Sequence, residues 1–432
     1  MRHGDTIVAL SSGALPSGVA VIRISGPGAA ALLSGLLPAL PPPRRLALTD
    51  ITVGGDLVDR GLVAWFPAPR SFTGEDCAEL QVHGSPAVVR ALLRALTAAG
   101  GRLAEAGEFT RRAFENGKLD LTEVEGLGDL ITAETEAQRH QAMARLSGAL
   151  SRRLETWRER LATARAELEA QLDFSDEADV GALPAGFLPG LRALAGEFAE
   201  AIETVGRGRI VREGLRVALA GPPNAGKSSL LNALARSDVA IVTPEAGTTR
   251  DVREVPIDLD GRLVILLDMA GLRETESLAE AEGVRRARHE IARADLVLWL
   301  MAPDVPPEAE PAGIAAPLWR VATKVDIGPV PGALDAAIST RTGEGLAPLL
   351  AQLRRFAADA VAGAPALLSR ERDLAALTAA SAALNDAMAT LHSPELAAES
   401  LRAATQALER LVGRIDAEAV LDRLFSAFCI GK

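Results

Sequence analysis

The chain has no tyrosine, two cysteines and 3% aromatic residues. Aromatic faces on which unstacked bases could lie are therefore scarce, which disfavours a single-strand nucleic-acid binder built on stacking platforms. Cys77 and Cys429 cannot build a disulfide framework, so the chain reads as cytoplasmic. Positive charge is in deficit: 46 Lys and Arg stand against 57 Asp and Glu, for a net charge of −11. That excludes a nucleic-acid binder held by charge alone, and any RNA contact must be local or shared with a partner. No apolar run is long enough to span a bilayer, and Met1-Arg2-His3-Gly4-Asp5 has no signal-peptide core. No internal repeat is visible. What is present is length: 432 residues predict two to four domains with ample core.

The organising stretch is Gly221-Pro222-Pro223-Asn224-Ala225-Gly226-Lys227-Ser228. An apolar run, Leu215 to Ala220, precedes it as a buried strand; Ser229 to Leu234 follows with a helix pattern. Strand, glycine-rich turn and helix are the context of a phosphate-binding loop. Backbone N–H groups and the helix N-terminus face the phosphates. Lys227 would reach the β- and γ-phosphates, and Ser228 would hold Mg²⁺.

Residues 1 to about 115 mix short strands and helices, an α+β pattern. Leu46–Val53 and Leu57–Phe66 predict a hairpin around Gly54-Gly55, and Pro86–Ala99 a helix. Thr122-Glu123-Val124-Glu125 fits a capping box. Leu146, Leu150, Leu154, Trp157, Leu161, Leu168 and Leu172 predict one face of a single long helix. The acidic cluster Asp173-Phe174-Ser175-Asp176-Glu177 ends it, as a metal site or, more simply, a solvated helix end. From about 212 to 360 strands alternate with helices, the signature of a parallel sheet, with a hairpin turn at Asp260-Gly261 and a helix over Gly283–Ala294. From about 365 the chain is helical again, with Pro394 opening one helix. Neither helical segment closes a core alone, so the two are expected to pack together with the α/β unit inserted between them.

Three further pieces belong with the phosphate loop. Asp268-Met269-Ala270-Gly271 ends a strand, where an acidic residue can bind Mg²⁺ through water and the Gly271 N–H can sense the γ-phosphate. Thr248 and Thr249 lie in Gly247-Thr248-Thr249-Arg250-Asp251, where a hydroxyl can complete Mg²⁺ coordination. Thr323-Lys324-Val325-Asp326 follows a strand, and its carboxylate can accept from guanine N1–H and the N2 amine, selecting GTP over ATP. Leu272 cannot orient a water as the Gln of many GTPases does. Asn224 either places an amide oxygen on a monovalent cation or only shapes the loop.

On these motifs the chain resembles the MnmE (TrmE) family of tRNA modification GTPases. Further matches are Ser71-Phe72-Thr73-Gly74-Glu75-Asp76 with Glu79-Leu80, Glu108-Phe109-Thr110 through Arg112-Ala113-Phe114 to Asn116-Gly117-Lys118-Leu119-Asp120-Leu121, and Cys429-Ile430-Gly431-Lys432. The resemblance implies a multidomain α+β and α/β fold. It has an N-terminal dimerisation and folate-binding domain (1–117), a helical domain in two parts (118–211 and 363–432) and an inserted P-loop G domain (212–362). It implies a tetrahydrofolate derivative, 5-formyl or methylene, contacted by Arg23, Glu79, Lys118 and Lys432. It implies K⁺ at Asn224, Thr243, Glu245 and Thr248, and Mg²⁺ at Ser228 and Thr249. Nucleotide contacts would come from Asn224, Ala225, Gly226, Lys227, Ser228, Ser229, Thr243, Thr248, Thr249, Asp268, Gly271, Thr323, Lys324, Asp326, Ser339, Thr340 and Arg341. The catalytic residues would be Lys227, Glu280, which matches a water-positioning glutamate, and Cys429, which would serve the modification chemistry. Expected partners are GTP/GDP, a second copy, an MnmG-type FAD protein forming a heterotetramer, and tRNA. Met269 and Thr323 depart from the usual Thr and Asn, the second losing an amide that braces the loop and so lowering guanine affinity. The Ser11–Ser17 loop is also altered.

Three functions compete. The first is a GTP hydrolase that modifies wobble uridine with the flavoprotein. The second is a regulatory switch in ribosome or RNA metabolism, which would need neither the N-terminal domain nor Cys429. The third is a folate module with a degenerate G domain, opposed by the intact Gly226-Lys227-Ser228 and Asp326.

Overall fold

The computed structural model describes residues 4–173, 183–236, 253–269, 290–310, 313–363, 366–415, 418–426, 428, 430 and 431. The chain divides into two compact units, Met1–Gly128 with Ser151–Glu155 and Gln406–Lys432, and Asp129–Leu150 with Thr156–Thr405.

The first unit is built on a six-stranded sheet. Its strands are β1 (Ile7–Leu10), β2 (Ser17–Ser25), β3 (Ala47–Val53), β4 (Asp56–Phe66), β5 (Cys77–Gly84) and β6 (Arg102–Leu103), in the order β3-β4-β5-β2-β1-β6. Residues alternate across it. Ala20, Ile22 and Ile24 are buried while Val21 and Arg23 between them are not, so the core lies on one face. That face carries α1 (Ala29–Ser34) and α2 (Pro86–Ala98), with Leu32, Leu33, Leu92 and Leu96 in the shared core. The opposite face leaves Val19, Leu48 and Leu62 exposed. The predicted hairpin and the Pro86 helix are both present. Next come α3 (Glu108–Glu115) and α4 (Leu121–Ile131). The box at the start of α4 is Asp120 with Glu123, because Glu123 N–H donates to Asp120 Oδ1 and Asp120 N–H to Glu123 Oε2, each at 2.9 Å. The Thr122 box is thereby corrected: Thr122 lies already inside the helix, its hydroxyl donating to Asp120 Oδ1 at 2.8 Å.

In the second unit the long apolar stripe is two helices, α5 (Glu136–Leu146) and α6 (Ala149–Asp173), broken at Gly148, whose φ is +76°. Leu146 therefore ends α5 and does not belong to the α6 stripe. Trp157 on α6 meets Phe198 of α7 (Phe187–Glu213) edge-on, ring centroids 4.9 Å apart. Residues 174–177 of the acidic cluster lie outside the described residues.

A second six-stranded sheet, in the stretch expected to be the G domain, contains β7 (Leu215–Ala220), β8 (Arg253–Asp258), β9 (Leu263–Asp268), β10 (Leu296–Met301), β11 (Leu318–Ala322) and β12 (Ala336–Ala337). Its order is β12-β11-β10-β7-β9-β8, parallel except for β8. Both faces are covered, which is why its strands read as unbroken apolar runs. Leu215, Val217 and Leu219 enter one core with Leu230 and Leu349, and Ala218 and Ala220 enter the other with Val297 and Trp299. The turn between β8 and β9 holds Asp260 at φ +54° and Gly261 at φ +79°, as a two-residue hairpin requires. The helices of this domain are α8 (Lys227–Ala235) and α9 (Leu346–Ala360); residues 283–289 of the predicted helix lie outside the described residues. Beyond α9 the chain continues into α10 (Glu371–Ala389), α11 (Pro394–Val412) and α12 (Glu418–Ser426). The predicted pairing of early and late helices is seen where Gly208 of α7 lies against the segment before α10: a Cβ on Gly208 would sit 2.0 Å from Leu368 O.

Candidate functional site

The phosphate loop leaves β7 where a side chain has no room. Gly221 has φ +136°, and a Cβ there would fall 2.4 Å from Leu300 O of β10. Asn224 turns the loop at φ +63°, a conformation asparagine tolerates, and Gly226 caps α8 at φ +88°. Lys227, 8% exposed, folds over the loop and donates to Gly221 O and Pro222 O, each at 2.8 Å. Ser228 Oγ donates to Asp268 Oδ2 at 2.7 Å. A hydroxyl and a carboxylate brought together at a helix N-terminus form a hard-oxygen donor set suited to Mg²⁺. Ser229 follows on α8, and Met269 is buried in the core with Trp299 as packing.

The Thr323–Asp326 loop stands beside it. Thr323 is buried, and its hydroxyl lies 2.6 Å from Ala225 O and 3.1 Å from Met301 O. The amide is absent, as expected, and a hydroxyl bond stands in its place. The threonine hydroxyl reaches the phosphate loop directly and ties the two loops together. Lys324, at φ +53°, sends Nζ to Asp304 at 2.7 Å. Asp326 accepts from Ser339 Oγ at 2.6 Å and pairs with Arg341 at 2.7 Å. Ser339's hydrogen bond first, then the Arg341 charge, hold the Asp326 carboxyl below its ordinary value of 3.8, so it is an acceptor at neutral pH. Thr340 lies between those two partners. Thr323→Val keeps shape and removes the hydroxyl. It is expected to weaken GDP binding about fivefold, from roughly 1 kcal/mol for one neutral hydrogen bond, while Thr323→Ser retains affinity by titration calorimetry.

Thr243, Glu245, Thr248, Thr249, Gly271, Leu272, Glu280, Cys429 and Lys432 lie outside the described residues.

A second cluster occupies the first unit. Arg23 and Glu79 face each other across β2 and β5 and bond at 2.8 Å. The Arg23 guanidinium lies 5.4 Å from the Phe72 ring centre and 5.7 Å from Phe109. Lys118 Nζ donates to Pro69 O at 3.0 Å, at the loop that carries Phe72. The Ser11–Ser17 loop meets the C-terminal stretch: Ser11 Oγ donates to Gly431 O at 2.7 Å, and Ile430 bridges to Ala106. Sequence reasoning missed the network beneath. Arg112 joins Asp5, Glu75 and Glu108 at 2.5–3.1 Å, and Arg102 adds to Asp5 and Glu108. Burial pushes the Asp5 and Glu108 carboxyls up, and the two arginines more than reverse it, holding both below the usual carboxylate range. The signal was available, because three of these residues lie inside the quoted motifs, but nothing in the sequence pairs them.

A parallel sheet with a phosphate loop after its central strand, an acidic residue ending the neighbouring strand and a Thr-Lys-Val-Asp stretch beyond a further strand define a P-loop GTP-binding protein. A family model described as MnmE helical domain matches residues 121–429, and one described as GTP-binding protein TrmE N-terminus matches residues 6–118. The chain belongs to the MnmE (TrmE) family of tRNA modification GTPases. It is 52% identical over 437 residues to a tRNA modification GTPase MnmE of Azorhizobium caulinodans, covering 100% of both chains. It is 53% identical over 447 residues to that of Rhizobium meliloti, again covering 100% of both. Among solved structures, the G domain of the T. maritima FeoB iron transporter matches 33% of this chain and 98% of its own at 26% identity, with a TM-score of 0.24.

Proposed function

We propose that this chain is a potassium-activated GTPase that, with an MnmG-type FAD protein, modifies carbon 5 of the wobble uridine, position 34, of certain tRNAs. The product is an aminomethyl or carboxymethylaminomethyl uridine, and a tetrahydrofolate derivative is the one-carbon donor. The observation that carries it is one chain holding both a guanine-nucleotide site and, in its first unit, the Arg23–Glu79 pair beneath Phe72. A plain switch has no use for the second. Arginine and lysine suit the folate's glutamate carboxylates, so Arg23, Lys118 and Lys432 would hold that tail, and Glu79 would face the pterin's donors. The four-part division at 118, 212 and 363 is kept as the domain assignment in this reading.

Ser228 and Asp268 would hold Mg²⁺ with Thr249, which supplies charge neutralisation at the phosphates. Asn224 stands at the rim of the phosphate loop, exposed and in a left-handed conformation, and would hold K⁺ with Thr243, Glu245 and Thr248. Glu280 would orient the attacking water. The exposed Val19, Leu48 and Leu62 on the open face of the first sheet support dimerisation there. Cys429 lies between Phe428, which packs with Phe425 in a buried cluster, and Ile430, which bridges to Ala106; the flanking backbone is thus tied down, as a working thiol requires. Among the described residues no helix is long and apolar enough to cross a membrane, and the reading places the protein in the cytoplasm.

Mass spectrometry of wobble nucleosides from a deletion strain tests the function. The chain is expected to restore the modified uridine, and its Cys429→Ser variant is expected to hydrolyse GTP yet restore none. Unmodified uridine in the complemented strain rejects the reading. Turnover in KCl is expected to exceed that in NaCl, equal rates removing the cation's role, and light scattering that finds a monomer at micromolar concentration removes the dimer.

A further inference from the structure

Helix α5 is short, and its buried face is polar. Gln138, Gln141 and Arg145 are all buried, Arg145 completely, and Ala142 is the one buried apolar residue among them. Such a helix gains little from apolar burial, and buried polar groups are tolerated only when bonded. Each of the three donates to the main chain where it enters or leaves the G domain. Gln138 Nε2 donates to Arg212 O at 3.0 Å, one residue before the end of α7. Gln141 Nε2 donates to both crossings at once, to Gly208 O at 3.1 Å and Ala366 O at 2.7 Å. Arg145 Nη1 donates to Leu367 O at 2.7 Å and also meets Ser369 and Asp373. Burial pushes the Asp373 carboxyl up, and the Arg145 and Arg372 charges with the Ser369 N–H more than reverse it, holding it below its ordinary value.

The same helix touches the nucleotide-bearing strand from its far end. Thr135 caps α5, which leaves the Ala137 N–H without a carbonyl inside the helix. It donates to Gly261 O at 3.0 Å, at the tip of the β8–β9 hairpin. From that tip β9 runs to Asp268, the carboxylate bonded to Ser228 of the phosphate loop. One stiff strand therefore has the carboxylate that holds Ser228 at one end and α5 at the other.

An apolar contact can slide, whereas bonds to five particular carbonyls fix position and angle together. We propose that the face of α5 formed by Ala137, Gln138, Gln141 and Arg145 positions the G domain on the helical layer, and that tRNA modification depends on that orientation while nucleotide binding does not. These four are positioning residues, remote from the phosphates and from the Arg23 cluster. The activity readout rests on the proposed modification function; the orientation itself does not.

The test is the full-length Gln138→Leu/Gln141→Leu variant, which keeps side-chain size and removes the donors. Spin labels at Arg355 on α9 and Thr378 on α10, with both native cysteines changed to serine, report the distance between G domain and helical layer with GDP bound. The distance distribution is expected to broaden. In the native-cysteine background, at a temperature where the variant is fully folded, GDP affinity stays within twofold and wobble modification in a deletion strain falls at least tenfold. An unchanged distance distribution overturns the proposal. So does full modification by the variant, or a loss of GDP affinity in step with a lowered melting temperature, which would make α5 a stability element only. Should the function proposed for the chain fail, the distance measurement still decides.

Discussion

The Asp326→Asn variant is expected to lose guanine nucleotides by about 10²–10⁴-fold and to gain xanthine nucleotides in exchange. Asp326 is ionised and rigidly held by Ser339 and Arg341. It would accept from guanine N1–H and the N2 amine, two charge-assisted bonds worth roughly 1.5–3 kcal/mol each. An amide keeps one acceptor and offers one donor, so it opposes the N2 amine and suits the C2 oxygen of xanthine. Competition between GDP and XDP for the variant measures the exchange, and undiminished GDP affinity removes Asp326 from base recognition. The variant also weakens the pairing with Arg341, but at an exposed guanidinium that loss is small.

Lys227→Ala is expected to reduce GTP turnover by about 10²–10³-fold, the scale for losing one cationic group on a transferring phosphoryl. Lys227 is buried beneath its own loop and rests on Gly221 O and Pro222 O, so its ammonium is already at the phosphate cradle and bonded in place. A merely structural role would lower the melting temperature and leave the turnover of the folded fraction unchanged. Single-turnover hydrolysis at saturating GTP separates the two, and a rate near that of the unaltered protein rules out the phosphate role.

The nucleotide site was legible because phosphate binding is local. Gly221, Gly226, Lys227 and Ser228 are fixed by one turn, and their spacing survives in the linear sequence. Asp268 and Asp326 were found by position, the first ending an apolar strand and the second four residues beyond one. The role of Thr323 was not legible. The substitution removes an amide from a short motif, and only the fold shows its hydroxyl within 2.6 Å of Ala225 O. The single long helix predicted from the leucine stripe failed for a related reason. Leu146 and Leu150 keep the right spacing across Gly148, but a glycine at positive φ ends one helix and redirects the next. Buried polar faces are least visible of all. Gln138, Gln141 and Arg145 carry no signal in the sequence, because the carbonyls they serve come from distant stretches of chain.

That distance has a consequence for synthesis. Gln141 bonds to Ala366, 225 residues further along. When α5 and α7 have been made, the segment around Ala366 and Leu367 has not, and the donors of Gln141 and Arg145 that it will serve must stay hydrated. The G domain lies wholly between them and is made next. Its core draws on its own strands and helices, so it can fold before the helical layer closes. The helical layer then completes around a domain already formed. A substitution that slows the G domain's folding will leave α5 and α7 waiting with their inner faces open, and will be felt in the yield of the helical layer although no contact there has changed.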